Sequence, residues 1–139
     1  MGRVSENATF ARVYLYNLKG DLFAKIVDKG ELIDDKITDP SWELRGKSLK
    51  ASLDLLTKTF PEKLNPAWCF IPRHAIVYFD DDELIRGYVE ICFECNNFMA
   101  YPLPYGMVQM NSLKYFRQLF DKLNVPIFGD DQQYLQYRK

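Results

Sequence analysis

Four side chains able to hold a soft metal ion or carry thiol chemistry fall in one stretch: Cys69, His74, Cys92 and Cys95, within the segment from Trp68 to Asn96. They are all three cysteines of the chain and its only histidine. Three thiolates and an imidazole, with a C-x2-C pair among them, form a donor set that binds a single zinc or iron ion tetrahedrally. Parity works against it. On an uninterrupted strand Cys92 and Cys95 point to opposite faces, so a chelating pair requires a turn after Phe93. The same residues admit a reactive thiol, in which His74 takes the proton of Cys92 and Glu90 orients the imidazole. Nucleophilic thiols favour helix N-termini and strained turns, however, and Glu90 and Glu94 flanking Cys92 would raise its pKa. A thioredoxin-type pair is disfavoured because no helical pattern follows Cys95. The remaining alternative is that these are ordinary buried thiols.

The elements that must position these groups follow from alternation. Residues 75–79 and 84–93 alternate around the polar run Asp80-Asp81-Asp82-Glu83, the pattern of a β-hairpin. Opposing Phe79 to Ile85 also opposes Val77 to Gly87, Ala75 to Val89 and His74 to Glu90. One face then reads Ala75, Val77, Phe79, Ile85, Val89, Ile91 and Phe93, a core face. The other carries His74, Ile76, Tyr78, Arg86, Tyr88, Glu90, Cys92 and Glu94, too varied for an ordinary solvent face. Candidate binding residues are therefore Arg73, Tyr78, Arg86, Tyr88, Glu90 and Glu94, with Arg73 set to pair with Glu90, Glu94 or the acidic turn, or with a carboxylate or phosphate of a ligand. The acidic run lacks the alternating ligands, central glycine and terminal glutamate of a calcium loop and reads as a solvated turn. No phosphate-binding glycine loop, G-x-S-x-G elbow or H-E-x-x-H motif is present.

Along the rest of the chain, residues 11–18 and 22–27 alternate about a turn at Asn17 to Asp21 and predict a second hairpin; residues 31–37 predict a further strand ended by Thr38-Asp39-Pro40-Ser41. From Ser48 the period changes: Leu49, Leu53, Leu56 and Phe60 make one helical stripe, widened by Leu55 and closed by Pro61. Trp42 and Leu44 are read as packing into the start of that helix, or as partner surface. After a Pro/Gly loop over 101–106, read as a rigid connector or, through its flanking tyrosines Tyr101 and Tyr105, as a partner-contacting loop, Leu113, Phe116, Phe120 and Leu123 predict a second helix, capped by Asn111 or Ser112 and ended by Asn124 and Pro126. Residues 1–9 are expected to be loose and 130–139 frayed or docked. The order predicts a single α+β domain, an antiparallel sheet of about five strands with two helices on one face.

At 139 residues with 47% hydrophobic composition the chain can bury a core without disulfides. A net charge of −1, without a basic run, argues against a nucleic-acid binder. No apolar run reaches the length of a membrane helix and no signal-peptide pattern opens the chain, so a cytoplasmic protein without a membrane partner is expected. An odd cysteine count points the same way.

The segment Cys69-Phe70-Ile71-Pro72-Arg73-His74-Ala75-Ile76, followed by Ile91-Cys92-Phe93-Glu94-Cys95, resembles a group of small bacterial proteins in which C-F-x-P-R-H-x-I precedes I-C-F-x-C by a similar interval. The resemblance covers about a fifth of the chain and implies a shared hairpin, with a shared site at Cys69, Arg73, His74, Cys92 and Cys95, but no reaction. Two functions from different classes are expected. The first is a non-enzymatic domain that recognises another protein, as immunity proteins and small inhibitors do, through Tyr14, Tyr16, Tyr78 and Tyr88 on the polar parity of their strands. The second is a metal-binding or reactive-thiol protein using the Cys/His cluster.

Overall fold

Alternating β-formers give the long strands, and the change of period gives two helices. The computed structural model describes residues 8–58, 70–94, 97–101, 107–109, 113–129 and 131–137. Its strands are β1 (Phe10–Tyr16), β2 (Val27–Asp28), β3 (Glu31–Leu32), β4 (Ile37–Leu44), β5 (His74–Phe79), β6 (Ile85–Cys92), β7 (Asn97–Tyr101) and β8 (Met107–Gln109). Its helices are α1 (Gly46–Lys58), α2 (Leu113–Leu123) and the single turn α3 (Asp131–Tyr134). Six strands form one antiparallel sheet in the order β4-β1-β5-β6-β7-β8, while β2 and β3 make a separate ribbon. This is the α+β architecture expected, with six strands in the sheet.

Both longer helices lie on the same face. Leu49 of α1 and Leu113, Phe116, Leu119 and Phe120 of α2 bury against Ala11, Val13, Leu44, Ile76, Tyr78, Val89, Ile91 and Phe98. Helix α2 ends in a Schellman motif: Asn124 takes the left-handed conformation at φ 61°, its N–H donating to Asp121 and the Val125 N–H to Phe120. Leu56, Phe60, Pro61, the Pro/Gly loop over 102–106 and the proposed caps Asn111 and Ser112 lie outside the residues, or the side chains, that are described.

The second hairpin does not form as the alternation predicted. Neither neighbour of β1 is the 22–27 segment: β4 and β5 flank it, and residues 22–26 carry no strand. Those residues instead lie over the sheet's second face, where Ala24, Ile26 and Val27 bury against Tyr14, Tyr16, Ala75 and Val77. Local alternation cannot tell a strand from an extended segment that covers one. The expected strand over 31–37 shrinks to β3 followed by a 3-10 turn over Asp34–Lys36. Pro40, expected to end a strand, sits inside β4. That strand is an edge of the sheet, and its register with β1 shifts between the Ser41 and Ile37 pairs, so a residue without an N–H costs little there. Trp42 and Leu44 belong to this strand, Leu44 fully buried and Trp42 packed against the same core.

The turn after β1 is tied down by Asn17, at φ 60° and 3% exposed. Its side-chain amide donates to the carbonyls of Asp21 and Pro72, its side-chain oxygen accepts the Asp21 N–H, and its own carbonyl accepts from Arg73 Nη1 and the Gly20 N–H. Asparagine tolerates the left-handed region that this geometry requires.

Candidate functional site

One inserted residue decides what faces what in the central hairpin. Phe79 opposes Ile85 as expected, but Tyr78 then opposes Gly87, so Arg86 is an extra residue and a bulge shifts all later pairing by one. His74 therefore opposes Ile91 and Ala75 opposes Glu90. Because parity follows register, the expected His74–Glu90 neighbours lie on opposite faces of the sheet. The bulge also divides the set expected on one face: His74, Ile76 and Tyr78 point to the helices, while Tyr88 and Glu90 point to the β2–β3 side. Gly87, an isolated glycine within a strand pattern, was the sequence signal for it.

On the helix side His74 is 1% exposed and ringed by Phe93, Phe120 and Tyr134, with ring centroids 5.0, 5.4 and 5.8 Å away. Its Nε2 lies 2.8 Å from the Pro126 carbonyl, so that nitrogen carries the proton and donates it. The Nδ1 lone pair has no hydrogen-bond partner among the described residues. Burial drives the imidazole pKa down to about 4, further lowered by Arg117 and Arg73, against the Pro126 bond that raises it. The ring is neutral at physiological pH and joins the C-terminal segment to the sheet. Tyr78, expected to meet a partner, has no exposed surface; its hydroxyl donates to Ser52 Oγ at 3.1 Å in the core under α1. Arg73 is also buried, holding the Asn17 carbonyl, with its guanidinium 5.8 Å from the Tyr134 ring.

Cys92 is fully buried beside Phe70 and Met99, on the face away from His74. The two described members of the proposed metal quartet thus point apart, and among the described residues no group of three His, Cys, Asp or Glu side chains is placed to hold an ion. The thiol–imidazole–carboxylate arrangement does not assemble either, for the same reason of parity. Cys69 and Cys95 lie outside the described residues.

Electrostatic tension lies instead on the second face, at Glu90. This carboxylate is 1% exposed; Oε2 accepts the Ile26 N–H at 2.8 Å and Oε1 is 3.9 Å from Lys25 Nζ. Burial pushes its pKa up to about 7, against the lowering effects of the Ile26 N–H, Lys25, the Tyr16 hydroxyl and Lys36. Tyr16 beside it is fully buried, donates to the Ala24 carbonyl at 3.1 Å, and is held protonated far above neutrality by burial and by Glu90.

Above Glu90 opens a cleft of about 470 Å3 between the β2–β3 ribbon and strands β6 and β7, lined by Lys25, Val27, Asp28, Lys29, Gly30, Ile85, Arg86, Gly87, Tyr88 and Tyr101. Tyr88 and Tyr101 are cross-strand partners whose rings stack 4.8 Å apart. Lys25 Nζ donates to the Tyr101 hydroxyl at 2.6 Å and lies 4.3 Å from that ring's centroid. Burial, with the neighbouring Glu90 carboxylate adding to it, raises the Tyr88 pKa to about 12, so the phenol stays neutral. Arg86, put on the rim by the bulge, is anchored through Nε to Asp80 at 2.7 Å. Asp80 also accepts the Asp82 and Leu84 N–H groups, so the acidic run is a hydrogen-bonded turn organised by its first residue. Of the residues proposed for binding, the structure brings Arg86 and Tyr88 into this cleft, buries Glu90 outside its lining but within 3.9 Å of the cleft-lining Lys25, and leaves Glu94 exposed in the turn after β6. Lys25 and Lys29 were not foreseen; they come from segments that only the tertiary fold brings beside β6. Tyr101, read from the sequence as a flank of the Pro/Gly loop, instead ends β7 and stacks on Tyr88. A second cleft of about 400 Å3, between the Asn17 turn and Leu135 and Tyr137, has mixed charge and one aromatic ring in its lining, Tyr137.

No helix among the described residues is long and apolar enough to cross a membrane. In comparisons with known proteins, no family model, no curated protein and no solved structure matches the chain.

Proposed function

We propose that the protein is a non-enzymatic, cytoplasmic binding domain that recognises another protein, in the manner of an immunity protein or small inhibitor, through the cleft at Tyr88. The observation that carries this reading is the stacked Tyr88–Tyr101 pair, half-exposed beside the Lys25 ammonium and the Arg86 rim. Rigid aromatic rings and arginine dominate protein-interface energetics because they contribute large contact areas at low entropic cost. Glu90, although its pKa suits a general base, is sealed below the surface and engaged with the Ile26 N–H, which supports a tuning role over proton transfer to a substrate.

The test is site-specific photo-cross-linking in lysate of the source cells, with a benzophenone side chain replacing Arg86 and, as a control, replacing Lys114 on α2. A protein captured from position 86, absent from position 114 and lost on adding Tyr88→Ala supports the reading. Identical products from both positions, or none from position 86, overturns it.

A further inference from the structure

The cleft is cationic for a chain of net charge −1: Lys25, Lys29 and Arg86 line it against Asp28, with the Arg86 Nε paired to Asp80 and the two lysines left as the cations facing the opening. Lys29 and Gly30, at φ 52° and 79°, form the primed turn that projects the ribbon's tip over one side of the cleft, and Arg86 faces it from the bulge. Lys25 also lines the cleft, with its side chain 43% exposed. Its contact with Glu90, at 3.9 Å, is well beyond the roughly 2.7–2.9 Å of a tight ammonium–carboxylate bond. The ammonium has three donors, and among the described residues its one close hydrogen bond is to the Tyr101 hydroxyl.

Resting on the protein-binding reading, we propose that the partner presents an acidic segment, one of whose side-chain carboxylates docks on Lys25 against the tyrosine pair, with Glu90 competing from below for the same cation. The groups facing Glu90 are Tyr16 from β1, Lys25 and the Ile26 N–H from the covering segment, Lys36 from the 3-10 turn, and Tyr88 and Cys92 on its own strand. No second carboxylate is among them, so the state of Glu90 follows Lys25 and whatever anion Lys25 holds. A docked carboxylate draws on the cation that favours ionised Glu90 and adds a like charge nearby, so binding favours the protonated form. By linkage, protonated Glu90 favours binding, and affinity rises as pH falls through the Glu90 titration.

Acetylated octaglutamate, ionised at both pH 6 and pH 8, is the probe, and octalysine is the control. Backbone amide spectra of the full chain at low salt should show saturable shifts at Lys25 to Gly30, Gly87, Tyr88 and Tyr101 with octaglutamate only. Binding should be roughly fivefold weaker at pH 8 than at pH 6, if the docked carboxylate raises Glu90 by about one further pH unit. Lys25→Gln should abolish it, Lys25→Arg should keep it, and Glu90→Gln should remove the pH response while keeping the low-pH affinity. The spectrum itself reports whether Glu90→Gln folds, and the exposed Lys25 variants carry the test if it does not. Absence of saturable shifts at pH 6, equal response to octalysine, or a pH response surviving in Glu90→Gln overturns the proposal. Should octaglutamate fail while Tyr88-dependent cross-links from position 86 persist, the acidic-segment assignment falls and the protein-binding reading stands. Loss of those cross-links removes both.

Discussion

Replacing Glu90 by Gln should alter the shape of the stability–pH profile, because two buried groups of opposite sign now mask each other. Burial holds Glu90 near 7 instead of 4.5 and His74 near 4 instead of 6.5. Folded Glu90 keeps a proton that the unfolded chain has lost between pH 4.5 and 7. Relative to an ordinary carboxylate, its contribution is therefore most favourable below 4.5 and declines as pH rises through 7. Folded His74 lacks a proton that the unfolded chain still holds between pH 4 and 6.5, so its contribution improves across that range. At about 1.4 kcal/mol per pH unit, each displacement amounts to roughly 3 kcal/mol, an upper figure that any relaxation around the charged form would reduce. Between pH 4.5 and 6.5 the native and unfolded states differ by no net proton at these two sites, and their joint slope is close to zero. Glu90→Gln leaves His74 alone, so the variant should gain about 3 kcal/mol over that range while the wild type gains nothing from the pair. Urea titrations of both proteins at half-unit steps from pH 4 to 8 measure this, and the difference between the curves cancels every group they share. From pH 4.5 to 8 that difference should move by about 3 kcal/mol in favour of the variant, or roughly 6–12 °C in thermal midpoint for a chain of this size. A difference constant with pH refutes the reasoning, because Glu90 would then titrate as an ordinary surface carboxylate.

Tyr78→Phe should cost about 1 kcal/mol in urea titration through loss of the buried bond to Ser52, and a double-mutant cycle with Ser52→Ala should show that the two changes are not additive. Asn17→Ala should cost more than 2 kcal/mol, since it removes three side-chain bonds and leaves a residue with a Cβ at φ 60°; Asn17→Gly, which relieves only the backbone, should recover part of that, and thermal unfolding of the pair separates the two effects. Cys92 should resist alkylation in the native protein and react only in denaturant, as followed by peptide mass spectrometry, and rapid native labelling would contradict its burial against Phe70 and Met99.

The helices and the central hairpin were legible because their signals are local. The stripe of Leu113, Phe116 and Phe120 and the stop at Asn124 need only the helix's own period and end, and the acidic turn needs only Asp80 and its neighbours. Strand pairing across the chain was not legible. The segment over 22–27 has strand alternation yet serves as a cover, and β4 carries a proline that is tolerable only because the strand is at the edge, a fact about its neighbours and not its sequence. The covering segment matters to the site, since it brings Lys25 beside Tyr101 and the Ile26 N–H onto Glu90.

Most of the difference between the expected site and the observed one traces to Arg86. Without the extra residue, His74 would oppose Glu90 and lie on the face of Cys92, a constellation suited to thiol chemistry. With it, the imidazole goes to the helix side, where three aromatic rings hold it neutral. The carboxylate goes to the ribbon side, where burial without a close cation leaves it half-protonated near neutrality. Each group is separately stable in its surroundings because the other is absent: a neutral ring needs no counter-ion, and a carboxyl that can take up a proton tolerates the loose contact with Lys25. The same insertion sets the Arg86 guanidinium on the cleft rim beside Tyr88. A bulge in an inner strand interrupts the ladder and re-aims the side chains that follow it. What it does here is withdraw the ingredients of a reactive site from one another and leave an aromatic, cationic cleft over a carboxyl whose charge depends on pH.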